Sequence, residues 1–172
     1  ARLADEVRTV FDLENLRVAL GAPGSGTRQL SERVLAHFGA TVGEEIEISP
    51  EAAAEGLIDG SVDVAFILTA IPSRLVGGLA TADAVRFLSL GDAQQSGNEA
   101  DALALVFPAI SATTIPRSTY VRLPDRPIQT VAVSALPQTG GADGARGLGT
   151  MAAGLLALGA LLAFVCARLY RR

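Results

Sequence analysis

The sequence predicts an α/β domain with a mainly parallel sheet, followed by a C-terminal transmembrane helix. Three observations predict it. From Leu16 to Leu90, apolar stretches of strand character alternate with amphipathic stretches of helical spacing. The joints between them carry turn and cap residues: Gly21–Thr27, Ser49-Pro50-Glu51 and Asp59-Gly60. Near the end, Leu148–Ala167 holds no charged residue. Strands that alternate with helices bury both faces of a parallel sheet.

Ala1–Phe11 reads as the end of a helix or a linker, with Leu3, Val7 and Val10 on one side. It begins without Met, so the expectation is a processed or partial chain. Leu16, Val18 and Leu20 alternate as in a strand, and Leu30, Val34, Leu35 and Phe38 then recur at helical spacing over Thr27–Phe38. Ser25 and Thr27 are candidate caps for this helix, and Gly39 suits a left-handed C-terminal cap. Glu44–Ser49 reads as a strand. Ser49, Pro50 and Glu51 form a helix start for Glu51–Ile58, which ends at Asp59-Gly60. Val62–Leu68 is a strand apolar on both faces after Asp63. Pro72 opens a helix to about Leu79, and Val85–Leu90 is a further strand. Asp92–Asp101 is polar and reads as a loop before a short helix ending near Phe107. Ile128–Val133 is the closing strand of the body.

Apolar residues make up 49% of the 172, but aromatics only 5%, and Trp is absent, so the core is built from Ala, Val, Leu and Ile. Charge is unevenly placed. Residues 1–140 hold 10 Arg against 17 carboxylates, a net −7, whereas residues 141–172 carry +3. An acidic body has no basic surface for releasing counterions from nucleic acid, which excludes that partner. A basic extreme end points to a membrane.

One Cys (Cys166) and one His (His37) leave no intrachain disulfide and no His/Cys metal cluster. A triad hydrolase would have to use His37, which belongs to the helix Thr27–Phe38, remote in sequence from any nucleophile elbow. The expectation is therefore a protein that is not an enzyme and needs no cofactor or metal.

The glycine-rich turn is the chemical feature of the body. GAPGSGTR (Gly21–Arg28) lacks the Gly-Lys-Ser/Thr ending of a phosphate loop and the spacing of a dinucleotide fingerprint. Free N–H groups and the positive dipole end of a helix nevertheless favour a carboxylate or phosphate. An ordinary capped turn fits the same residues.

Four segments in order resemble the TAXI family, the solute-binding subunits of tripartite ATP-independent periplasmic (TRAP) transporters: Asp12–Arg28, Glu51–Leu68, Ile71–Ala80, and Ile115–Tyr120 with Ile128–Leu136. The resemblance implies a lobe of the type II periplasmic-binding-protein-like fold over residues 1–135. It implies a small organic anion, such as a glutamate-like amino acid, as ligand and TRAP permease subunits as partners. Carried onto this chain, the ligand-facing residues would be Ser25, Gly26, Thr27, Arg28, Asp63, Pro72 and Tyr120. Each has a plainer role open to it: Asp63 ordering the Gly60–Val62 turn, Pro72 starting a helix, Tyr120 half-buried, Arg28 on the surface. Only eleven residues precede Asp12, so the expectation is one lobe with most of the other absent, and a single lobe cannot bury a ligand on both sides.

Residues 136–147 form a separate spacer that opens with LPQTG (Leu136–Gly140). A span over residues 148–167 of about 30 Å and a basic tail over residues 168–172 follow. Arginines at the far end place the body and N-terminus outside the membrane. This ending resembles the sorting signal of sortase-anchored surface proteins, which implies cleavage between Thr139 and Gly140 and attachment to the cell wall. A permanent membrane anchor is the competing view. The sequence thus points to an extracytoplasmic solute-binding component. The alternative is a wall-anchored sensor or adhesion module built on the same lobe.

Overall fold

The computed structural model describes residues 7, 9–82, 85–90, 99–120, 128–133 and 161–168. A 3-10 turn (η1, Val10–Leu13) leads into strand β1 (Arg17–Ala19) and helix α1 (Gly26–Phe38). Strand β2 (Glu44–Ile46), helix α2 (Pro50–Asp59), strand β3 (Val64–Ala70), helix α3 (Arg74–Thr81) and strand β4 (Val85–Leu88) continue the alternation. Helix α4 (Glu99–Val106), strands β5 (Ile110–Ile115) and β6 (Ile128–Val133), and strand β7 (Leu161–Arg168) complete it.

The seven strands make one sheet in the order β2-β1-β3-β7-β6-β5, with β4 also paired to β7. β1 lies parallel to both β2 and β3. Every pairing made by β5, β6 and β7 is antiparallel. The sheet is therefore mixed: parallel at the β2-β1-β3 side and antiparallel beyond it. The expectation of a mainly parallel sheet holds for the first half only. Ile110–Ile115, a strand that local sequence signals do not announce, supplies part of the difference by pairing along its whole length with β6.

Two cores flank the sheet, as the alternation requires. Leu16, Val18 and Leu20 face one side with Leu30 and Val34 of α1, Val64 and Phe66 of β3, and Leu103 of α4. Ala19, Ala65 and Ile67 face the other, against Leu57 of α2, Val76 and Leu79 of α3, and Ile115. β3 feeds both cores with successive residues along Val64–Ile67, the mark of a strand covered on both faces. Each buried Leu or Val contributes about 1.5–3 kcal/mol, which is how so aliphatic a sequence holds together without Trp.

Local signals act where they were expected. Ser25 and Ser49 cap α1 and α2 through their side chains, and Gly39 ends α1 in the left-handed conformation. α3 begins two residues later than Pro72 suggested: Ser73 is its N-cap, so Pro72 precedes the helix rather than opening it.

The largest correction concerns the C-terminal apolar stretch. Leu161–Ala167, expected as the end of a transmembrane helix, belongs to strand β7, which lies in the interior of the sheet. Among the described residues no helix is long and apolar enough to cross a membrane. A short run of apolar residues fits a strand buried on both faces as well as it fits a helix. Periodicity cannot separate the two, and the pairing edges offered by β3 and β4 decide. Residues 148–160, and Thr139 and Gly140 of the expected sortase motif, lie outside the described residues.

Candidate functional site

The parallel strands β1 and β3 give the lobe two unlike edges. At their C-terminal ends lie the Gly21–Ser25 turn, the N-terminus of α1 and the β3–α3 junction. At their N-terminal ends lie Arg17 and Asp63. In parallel α/β sheets, ligands gather outside the carboxyl ends of the strands, so the first edge is the candidate site.

Its centre is the start of α1. Ser25 is extended, and its Oγ accepts the Arg28 N–H at 3.1 Å; its own carbonyl accepts from Gln29 at 3.1 Å. The N–H groups of Gly26 and Thr27 donate to nothing among the described residues, while Gly26 is exposed and Thr27 is buried. Two donors at the positive end of a thirteen-residue helix are thus left for an anion.

Gly21 lets the chain fold tightly enough to present them. Its φ is +103°, and a Cβ there would stand 2.7 Å from the Arg28 nitrogen and 2.8 Å from the Thr27 Cβ. Only glycine permits both the conformation and the approach. Buried Ser31 then locks α1 to the strand it follows, donating to the Leu20 carbonyl at 2.7 Å. Gly26 rests on β3: a Cβ there would lie 3.4 Å from Leu68 Cδ2.

The other end of this edge is the β3–α3 junction. Thr69 Oγ1 donates to Ser73 Oγ at 3.3 Å, and the Ser73 N–H donates to the Tyr120 hydroxyl at 2.8 Å. Tyr120 is 8% exposed and its ring lies beside Gly77 of α3. Tyr120 therefore takes the place of a side-chain cap at α3. Pro72 is exposed, and the bond preceding it is cis. Thr69 and Ser73 were not singled out from the sequence. The only hint available was their position just after an apolar strand.

Two expected ligand residues are committed elsewhere. Arg28 donates to Glu32 at 2.6 Å and Glu45 at 2.7 Å, with Glu47 at 3.4 Å. Three carboxylates neutralise it, and the hydrogen bond to Glu32 is the main cause raising its already high pKa. Its side chain lies on the flank between α1 and β2, 15% exposed. A cavity of about 330 Å³ lies on the same flank, between α1, the Ala40–Gly43 turn and β2, away from the Ser25–Thr27 amides.

Asp63 is removed further. It is 5% exposed, and its carboxylate accepts from the Arg17 backbone N–H (3.1 Å), Nε (3.0 Å) and Nη2 (2.9 Å). Arg17 Nη2 also donates to the Gly60 carbonyl at 2.7 Å, so the pair fixes the α2–β3 turn as well as the entry to β1. Seven residues of β3 separate Asp63 from the candidate site, about 20 Å at strand rise. Asp63 positions Arg17 at the far edge of the sheet. The Asp63 hydrogen bond is also the main cause raising the Arg17 pKa, so the guanidinium stays charged through the neutral range.

His37 sits in the last turn of α1, its ring 4.8 Å from Phe38 and 6.1 Å from Phe107. It packs as an aromatic at the end of the helix opposite to the candidate site. Among the described residues, no group of His, Cys, Asp and Glu is arranged to hold a metal.

Of the seven expected ligand residues, the structure thus gathers Ser25, Gly26 and Thr27 at one point. Pro72 and Tyr120 lie at the α3 end of the same edge, while Arg28 and Asp63 pair with protein charges. Comparison with protein families matches residues 2–141 to the NMT1-like family, a family of periplasmic-binding-protein-like chains whose general role is solute binding. The chain belongs to the NMT1-like family.

Proposed function

We propose that this chain is the extracytoplasmic solute-binding component of a TRAP-type transport system, and that it takes a small organic anion at the N-terminus of α1. The pair of unengaged amides on Gly26 and Thr27 carries this reading. A carboxylate there would accept two charge-assisted hydrogen bonds from donors fixed in advance by the Ser25 cap and the Gly21 turn. No cation is needed, and Arg28 supplies none. A glutamate-like amino acid fits such a site through one carboxylate, with Thr69 and Ser73 within the same edge for a second polar group. Family membership supports solute binding rather than catalysis.

Calorimetry of the full chain with glutamate, related dicarboxylates and inorganic phosphate tests the proposal. Binding of a carboxylate that weakens at least tenfold in Thr27→Pro, which removes one of the two donors, is the expected result. Absence of heat with every small anion would overturn it.

A second reading, a wall-attached sensor using the same lobe, draws on LPQTG (Leu136–Gly140) and the arginine-rich end. A receptor joined to the wall through Thr139 cannot diffuse to a permease. Mass spectrometry of the C-terminus from intact cells separates the two: a chain ending at Thr139 favours the sensor, an uncut chain the transporter.

A further inference from the structure

The turn that joins α1 to β2 leaves part of a core surface open. Ala40–Gly43 is pinned at both ends by main-chain bonds: the Ala40 N–H donates to the Leu35 carbonyl at 2.9 Å, and the Gly43 N–H to the Leu13 carbonyl at 3.1 Å. Small residues at both ends of the turn fill little of the space so enclosed, and the cavity of about 330 Å³ remains. Leu20, Leu35, Ala40 and Val42 line it, and all four belong to the α1-side core or pack against it. A cavity above about 300 Å³, largely apolar and with few polar groups, has the make-up of a small-molecule site.

The charged groups at this cavity are carboxylates. Glu32 of α1 and Glu45 of β2 both line it. Arg28 draws them together, donating through Nε to Glu32 Oε1 at 2.6 Å and through Nη2 to Glu45 Oε2 at 2.7 Å. Among the described residues, the second oxygen of each carboxylate accepts from nothing. With Glu47 Oε1 3.4 Å from the same guanidinium, three carboxylates face one cation. Two negative charges are left in excess beside an apolar cavity.

We infer that this flank is a second binding site, separate from the N-terminus of α1, and that it takes a small aliphatic primary amine. An ammonium group carries three donors, enough to reach the second oxygens of both Glu32 and Glu45. The alkyl chain then covers Leu20, Leu35, Ala40 and Val42 and removes them from water. A bare metal ion would leave that lining wet, and an anion would meet the excess negative charge. The Glu32 and Glu45 side chains are 54% and 52% exposed, so solvent screens the ion pairs and the apolar contact supplies much of the affinity. Glu32 lies seven residues beyond Ser25, about 10 Å along the helix. The two sites thus accept opposite charges at different places on one helix.

Calorimetry of the full chain with hexylamine, hexanol and hexanoate tests this, because the three probes share one alkyl chain and differ in charge. Hexylamine is protonated at neutral pH, as a lysine side chain is. It is expected to bind one to one, with hexanol at least fivefold weaker and hexanoate giving no heat. Glu32→Gln and Glu45→Gln keep side-chain shape and should each weaken hexylamine about threefold, the range of an exposed ion pair; the double variant should weaken it about tenfold. Ala40→Leu fills the cavity and should abolish binding. Thr41→Phe, at an exposed residue of the same turn, narrows the cavity without touching the core and should weaken binding at least fivefold. Thermal melts confirm that each variant is folded.

Absence of hexylamine binding would overturn the inference. So would hexanol binding as tightly as the amine, since the carboxylates would then read nothing. Parent-like affinity in the folded Glu32→Gln/Glu45→Gln or Thr41→Phe variants would place the amine elsewhere. The anion site is tested separately: a saturating carboxylate should leave hexylamine affinity within twofold, and direct competition would assign both ligands to one site and end the proposal of a second.

Discussion

Arg17 begins β1 and Asp63 immediately precedes the neighbouring parallel β3, and their side chains close on each other at 2.9 Å across the N-terminal edge of the sheet. The Asp63 carboxylate is nearly buried while the Arg17 side chain is 38% exposed. Solvent screens one partner, so the pair is worth less than a fully buried one. Its importance is geometric: one carboxylate receives three N–H donors from Arg17, and the same guanidinium holds the Gly60 carbonyl.

Asp63→Ala should therefore cost stability and spare binding. Losing a charged acceptor with several donors predicts a loss of about 2 kcal/mol, readable as a lower urea midpoint at unchanged m. Affinity for the anionic ligand should stay within twofold. A variant of normal stability with lost affinity would return Asp63 to the ligand set.

Gly21→Ala should damage the site at its hinge. The left-handed conformation costs an ordinary residue about 1–2 kcal/mol, and the added Cβ would crowd the Arg28 nitrogen. We expect destabilisation of at least about 2 kcal/mol and an affinity loss greater than tenfold, measured by thermal melts and calorimetry. Wild-type behaviour of this variant would show that the turn is not tight.

Ser25→Ala removes the acceptor of the Arg28 N–H. The expected cost is about 1 kcal/mol, while Ser25→Gly should cost only a few tenths. Anion binding should weaken in both variants, because the first turn is less firmly set. Equal stability of Ala and parent chains would argue against the cap.

Arg28→Gln tests the assignment of this residue to the β2 flank. Because Glu32, Glu45 and Glu47 already surround it, removing the cation should leave ligand affinity within twofold. Stability should fall by about 1 kcal/mol as three carboxylates lose their shared partner, with the loss shrinking at high salt. A tenfold fall in affinity would place Arg28 at the ligand.

Tyr120→Phe should cost about 1 kcal/mol, the usual net worth of a hydrogen bond whose donor is left unpaired. The Ser73 N–H then has no acceptor at the start of α3. Denaturant titration checks the loss, and hydrogen exchange at Ser73 should rise with it.

Much of this architecture was legible in the sequence because its causes are local. Ser25, Ser49 and Gly39 act within one turn of their own helix, so caps could be read from residue type and position. Val64–Ile67 sends successive apolar side chains into opposite cores, so its burial on both faces follows from an unbroken apolar run. The donors of Gly26 and Thr27 followed in the same way from a helix beginning after a glycine-rich turn.

The tertiary structure decided whatever depends on partners distant in the chain. Nothing near Asp63 announces that Arg17, 46 residues earlier, will take its carboxylate. Likewise, the glutamates that hold Arg28 come partly from β2, and the Tyr120 hydroxyl serves a helix whose N-cap lies 47 residues before it. Leu161–Arg168 is the clearest case. Its apolar residues suit a strand or a helix equally, and only the open pairing edges of β3 and β4 made it a strand. Local sequence fixes which hydrogen bonds a segment can make with itself, whereas the fold alone determines which unsatisfied groups it will meet.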